Sequence, residues 1–111
     1  MSKLRTRIEK LKKEIYELGE FHSGSLTQDW NICGKSGCKC KDPDKPRKHG
    51  PYHYLHYRME GRQLNRFMKK EQVEGAKLWI RNYSRFQDLN EELRKAYIEL
   101  AQLTGFKAEE L

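Results

Sequence analysis

The chain is 111 residues long, 36% hydrophobic and 35% charged, with a formal net charge of +7. So polar a composition leaves little apolar surface to bury, and one small domain is expected that is extended, stapled or oligomeric. With no apolar run near the length of a membrane span and no charged-then-apolar leader, the sequence reads as neither inserted nor exported, and a cytoplasmic location is expected.

The charge is unevenly placed. Residues 33–70 carry eleven bases and three acids, a net +8, whereas 1–20 contribute +2, 21–32 contribute −1 and 71–111 contribute −2. A basic head on a near-neutral support is the footprint of a polyanion partner. Aromatic residues interleaved with the bases set it apart from an ordinary solvated lysine face.

In the first segment, 1–19, Leu4, Ile8, Leu11, Ile15 and Leu18 recur at alternating steps of four and three. That spacing predicts an amphipathic helix from Ser2 to about Leu18 with a narrow, coiled-coil-like stripe, stopped by Gly19. Residues 20–32 read as a connector whose Phe21, Leu26, Trp30 and Ile32 cover the join between this helix and the cysteine-bearing segment, with Trp30 as a lid. Ser23 and Ser25 have no acid–base partner nearby and suit turn chemistry better than catalysis.

All three cysteines fall within eight residues, and with the next histidine they spell Cys33-x4-Cys38-x-Cys40-x8-His49. From Cys33 to Pro51 there are five lysines, three glycines, three prolines and almost no aliphatic side chain, so apolar burial cannot order the segment. A structural Zn2+ can, because its coordination free energy becomes folding free energy. A disulfide with one thiol left over fits an odd cysteine count in a reducing compartment poorly, and polar flanks argue against three unrelated buried thiols. A catalytic zinc would need a base, and only Asp42 and Asp44 are near. For the fourth ligand, His49 is preferred because it precedes the Gly50-Pro51 turn, while His53 and His56 would face opposite sides of a strand.

Tyr52 to Arg58 and Arg62 to Met68, split by Met59-Glu60-Gly61, predict a two-stranded hairpin. Alternation puts Tyr52, Tyr54, His56 and Arg58 on one face and His53, Leu55 and Tyr57 on the other, while Arg62, Leu64, Arg66 and Met68 share a side. The last segment, 71–111, is expected to continue a helix that begins near Lys70 and runs to Thr104. Its seam reads Val73, Trp79, Tyr83, Phe86, Asn90, Leu93, Tyr97 and Leu100, with Leu89 and Leu103 on the flank. The expected fold is therefore α+β and mostly α: an antiparallel helical hairpin carrying a zinc knuckle and a β-hairpin head (20–70). The long helix overhangs its partner, so a homodimer through the leftover seam is a further expectation.

The Cys33-Gly34-Lys35 to Cys38-Lys39-Cys40 core, His49-Gly50-Pro51-Tyr52, and the Arg66-Phe67-Met68-Lys69-Lys70-Glu71 entry into Trp79-Ile80-Arg81-Asn82-Tyr83 carry a resemblance. They are similar to a family of small uncharacterised prokaryotic and phage proteins often encoded beside transposases and other mobile-element genes. The likeness covers about residues 19–86, and the company of mobile elements implies DNA transactions by association only. Many relatives have tyrosine where His53 stands, which favours His49 as ligand, and proline where Lys69 stands, which leaves the helix start less sharply defined here.

The function these features favour is nucleic-acid binding without catalysis, with duplex DNA preferred and single-stranded DNA or RNA left open. Lys35, Lys39, Lys41, Arg47 and Lys48 would meet phosphates from the loop, and Lys69 and Lys70 extend the basic set. Arg58, Arg62 and Arg66 would reach a groove from the hairpin, and Tyr52 and Tyr54 would stack on unpaired bases. The competing expectation is a coiled-coil adaptor whose zinc tip docks onto a transposase, recombinase or other protein.

Overall fold

The structure, a computed structural model, describes residues 2–32, 37–44 and 47–107. In chain order the elements are α1 (Ser2–Tyr16), β1 (Ser25–Asn31), a 3-10 turn (Lys39–Lys41), β2 (His49–Met59), β3 (Arg62–Met68), a second 3-10 turn (Lys70–Gln72) and α2 (Val73–Thr104). The fold is α+β and mostly helical. Two compact units emerge, one of Met1–Phe21 with Arg81–Leu111 and one of His22–Ile80, and the boundary between them falls inside α2. Among the described residues no helix is long and apolar enough to cross a membrane.

In the helical unit, α1 and the C-terminal part of α2 run antiparallel. Arg7 lies 4.0 Å from Glu92, and Arg85 lies 3.8 Å from Glu14. These pairs are solvated and contribute at most about 1 kcal/mol each, so they set register more than stability. Stability comes from the apolar strip between them, where Ile8, Leu11, Leu89 and Ala96 are at most 5% exposed. Burying a side chain of that kind is worth about 1.5–3 kcal/mol for the larger three. The stripe expected on α1 is thus the buried one. On the solvent side of α2, two hydrogen bonds from the Arg94 guanidinium hold the Glu91 carboxyl below its ordinary pKa.

The seam on α2 keeps Val73, Tyr83, Phe86, Leu93 and Leu100 of the expected line but passes through Leu89 and Ala96 in place of Asn90 and Tyr97. Asn90 is exposed and Tyr97 is 43% exposed, whereas Leu89 is buried, with Tyr83, Phe86, Leu93 and Leu100 half-buried along the same stripe. Ala96, 5% exposed, takes the buried position beside Tyr97. After α1, Asn82 Nδ2 donates to the Glu20 carbonyl at 2.8 Å and Phe21 stacks on Phe86 at 4.9 Å, which pins the exit of the chain.

The second unit holds a three-stranded antiparallel sheet in the order β1-β2-β3, not the two-stranded hairpin expected. The additional strand, β1, occupies the stretch read as a connector. Its residues alternate too weakly to announce a strand, because only Leu26 is even half-buried. Pairing makes it one: Leu26 lies opposite Leu55 and Thr27 opposite Tyr54. Its entry requires Gly24, since a Cβ there would run into the His56 carbonyl, and φ is +123°. Between β2 and β3, Glu60 and Gly61 both have positive φ, at 53° and 77°, the two-residue turn whose twist matches paired strands.

The faces of β2 fall as the alternation predicts. Leu55, buried between Leu26 and the β3 residue Arg66, joins Met68 and Val73 in a small core, with Leu26, Tyr57, Ala76 and Ile80 packed against it. The first turns of α2 therefore cover the sheet. The start of α2 is sharp even without a proline, because Gln72 Oε1 accepts from the Lys69 backbone N–H at 2.9 Å.

Two comparisons test this packing by urea denaturation. Leu89→Ala should cost about 2–5 kcal/mol and Asn90→Ala less than about 0.5 kcal/mol; similar costs would restore the expected seam. Gly24→Ala should destabilise by about 2 kcal/mol or more, whereas Gly75→Ala, in α2 with open space around it, should stabilise by about 0.5–1 kcal/mol.

Candidate metal centre

Three ligand-type side chains converge where β2 begins. Cys38 precedes the Lys39–Lys41 turn and Cys40 lies within it, its side chain fully buried. The turn is closed by Lys41 N donating to Cys38 O at 3.0 Å. His49 opens β2 opposite Asn31 of β1, so the sheet itself places the imidazole. Cys38 Sγ and His49 Nε2 are 3.1 Å apart, and the ligand atoms of Cys38, Cys40 and His49 all lie within 4.8 Å of one another. A tetrahedral metal with bonds of about 2.0–2.3 Å needs ligand–ligand edges of roughly 3.5–3.8 Å. The group fits such an ion with small adjustments. Beside it the Trp30 ring comes so close over Gly50 that a side chain there would collide with it.

His53 and His56 stand apart from this group. His56 is engaged on both ring nitrogens: Nδ1 donates to Asn65 Oδ1 at 2.6 Å and Nε2 accepts from the Thr27 hydroxyl at 2.7 Å. His53 shares the Leu55 face of β2, opposite Gln28 and Met68. Cys33, expected as a further ligand, and Lys35 lie outside the described residues.

The remaining expected residues divide among three places. Lys39, Lys41, Arg47 and Lys48 are exposed around the metal group, and Lys69 and Lys70 are exposed at the junction of β3 and α2. Tyr52, Tyr54 and Arg58 share one face of the sheet. Arg62 and Arg66 are on the other, by register with Met59 and Leu55. The pleat of antiparallel strands thus puts Arg58 on one side of the sheet and Arg62 and Arg66 on the other. Arg66 instead lines a cavity of about 380 Å3 with Leu55, Met68, Trp79 and Ile80.

Sequence reading missed two features. Phe67, directly opposite Tyr54, is 54% exposed on the face away from the core. The Thr27–His56–Asn65 relay needed β1 to be recognised before its first member could be placed.

The family model described as Domain of unknown function (DUF6788) matches residues 1–78. The chain belongs to this DUF6788 family. The matched stretch contains α1, the whole sheet and the metal group of this DUF6788 chain, and it ends within α2. No curated protein and no solved structure matches the chain.

A metal seated on these atoms makes a spectroscopic prediction. Titrating Co2+ into the metal-free protein should produce a thiolate-to-cobalt charge-transfer band, which Cys40→Ser weakens and His53→Ala leaves intact. A Cys40→Ser protein with an unchanged band would remove Cys40 from the site.

Proposed function

We propose that this chain is a zinc-stabilised nucleic-acid-binding protein, with DNA the favoured polymer. The observation that supports this most is the convergence of cations on the metal group. Arg47 N donates to Lys39 O at 3.1 Å, bringing the segment of Arg47 and Lys48 beside the turn of Lys39 and Lys41, and all four residues are exposed. Phosphate contacts from such a cluster release counterions and give affinity without sequence preference.

Zinc is the metal that thiolates with an imidazole select, and in this reading Cys33 completes the set. Cys33 follows by two positions in sequence the strand residue paired with His49. Three thiolates against a divalent ion leave a single negative charge, which the surrounding bases exceed. The metal's role is structural, and no catalysis is proposed. The resemblance to proteins encoded beside mobile elements favours an accessory factor of a mobile element or phage.

A second reading, a protein-docking adaptor, is favoured by a different feature. Tyr97, Ile98, Leu103 and Phe106, near the end of α2, are between 43% and 87% exposed. A partner protein or a second copy of the chain would cover such side chains.

Salt dependence separates the two readings. Replacing Lys39, Lys41, Arg47 and Lys48 together by Ala should weaken binding to labelled DNA and reduce the slope of log K against log salt by about three to four. The zinc content of this variant serves as its folding control. Unchanged affinity, or no binding by the parent protein, would overturn the nucleic-acid reading in favour of the adaptor.

A further inference from the structure

The face of the sheet turned away from α2 is built of side chains that do not belong on an idle surface. Its rows, taken across the strands, are Asp29 with Tyr52, then Thr27, Tyr54 and Phe67, then Ser25, His56 and Asn65, then Arg58 and Gln63. Phe67 leaves 54% of its surface in solvent. The Tyr54 ring meets it edge-on at 5.8 Å and 70°, propping the phenylalanine from one side. A propped, uncovered aromatic ring presents a flat face on which a planar group can stack.

The neighbouring row is fixed by hydrogen bonds. His56 is held between the Thr27 hydroxyl and Asn65 Oδ1, and the Gln63 amide donates to the same oxygen at 3.5 Å. With its oxygen occupied, Asn65 keeps its Nδ2 hydrogens for an outside acceptor. Arg58 closes the row beyond, donating to Gln63 Oε1 and Gly61 O at 3.5 and 3.4 Å, and it remains exposed. An aromatic platform, an amide donor beside it and a guanidinium at the end match the parts of an unpaired nucleotide: ring, base carbonyl and phosphate. A duplex offers no free ring face, and a helix-in-groove partner would require an apolar trough where these rows are polar.

We infer that this face is a stacking platform for single-stranded DNA, with Phe67, propped by Tyr54, carrying a base, Asn65 reading a base carbonyl and Arg58 meeting the backbone. The inference rests on the nucleic-acid reading above and narrows it to unpaired strands. Asp29, at the far row, limits the platform at that end, because a phosphate there would meet a carboxylate.

The test uses the full-length, zinc-loaded protein and three probes of equal length: a labelled oligo(dT), its RNA counterpart oligo(U) and a DNA duplex. Oligo(dT) should bind most tightly. Phe67→Ala and Phe67→Leu should each weaken it about tenfold, while Phe67→Tyr should retain it. An oligonucleotide carrying 2-aminopurine should lose fluorescence on binding, and Phe67→Leu should abolish that loss. Since Phe67 is exposed, these variants are expected to fold, with zinc content as the check. Tighter binding to the duplex or to RNA, or binding to oligo(dT) indifferent to Phe67→Leu, would overturn the platform and leave the broader reading standing. Failure to bind all three would overturn both.

Discussion

β2 is hydrogen-bonded along both edges, and that constraint organises everything else in its unit. A strand with two partners has no freedom of register, so each side chain is committed to one of two faces. Leu55 and Tyr57 go to the α2 side, and Tyr54 and His56 go to the other. The same commitment positions the metal group, because His49 is the first residue of β2 and lies opposite Asn31.

How much of this was legible in the sequence depended on whether an element carried its own pattern. The β2–β3 hairpin did, through the Tyr–His–Leu–His–Tyr alternation and the Glu60-Gly61 turn. β1 did not: Ser25, Thr27, Gln28 and Asp29 are as suitable for a loop, and only the vacant edge of β2 turns them into a strand. On α2 the large aromatic residues drew the seam through Trp79 and Tyr97, while the buried positions are Val73, Leu89 and Ala96. Alanine is nearly silent in a hydrophobic pattern, although it is easily buried. The cysteine cluster was legible because spacing alone brings Cys38 and Cys40 together. The participation of His49 was a preference that the sheet makes geometric.

Charge was legible in amount and misleading in direction. The excess over 33–70 counts Arg58, Arg62 and Arg66 alike, yet strand pleat separates the first from the other two. Arg66 turns to the cavity beside α2 and Arg58 to the open face, so a net charge drawn along the chain overstates what any single surface presents. The four cations around the metal group stand outside the strands, and the backbone bond from Arg47 to Lys39 brings their two segments together.

The smallness of the core gives metal binding a reach beyond its own loop. Leu55, Met68 and Val73 are the buried members of the core that ties the sheet to α2, and in the connection from β1 to β2 Cys40 is the buried residue among those described. The ends of that connection are already held together by the Asn31–His49 pairing, so ligation there adds little closure entropy, and whatever it contributes also strengthens the pairing. Detaching β1 would expose an edge of β2, remove the Thr27 hydroxyl from His56 Nε2 and take one strand from the row of Tyr54 and Phe67. In the proposed reading, metal occupancy and an ordered open face therefore favour the same state of the sheet. A metal-free protein would lose the shape of the face before it lost the charge of the loop.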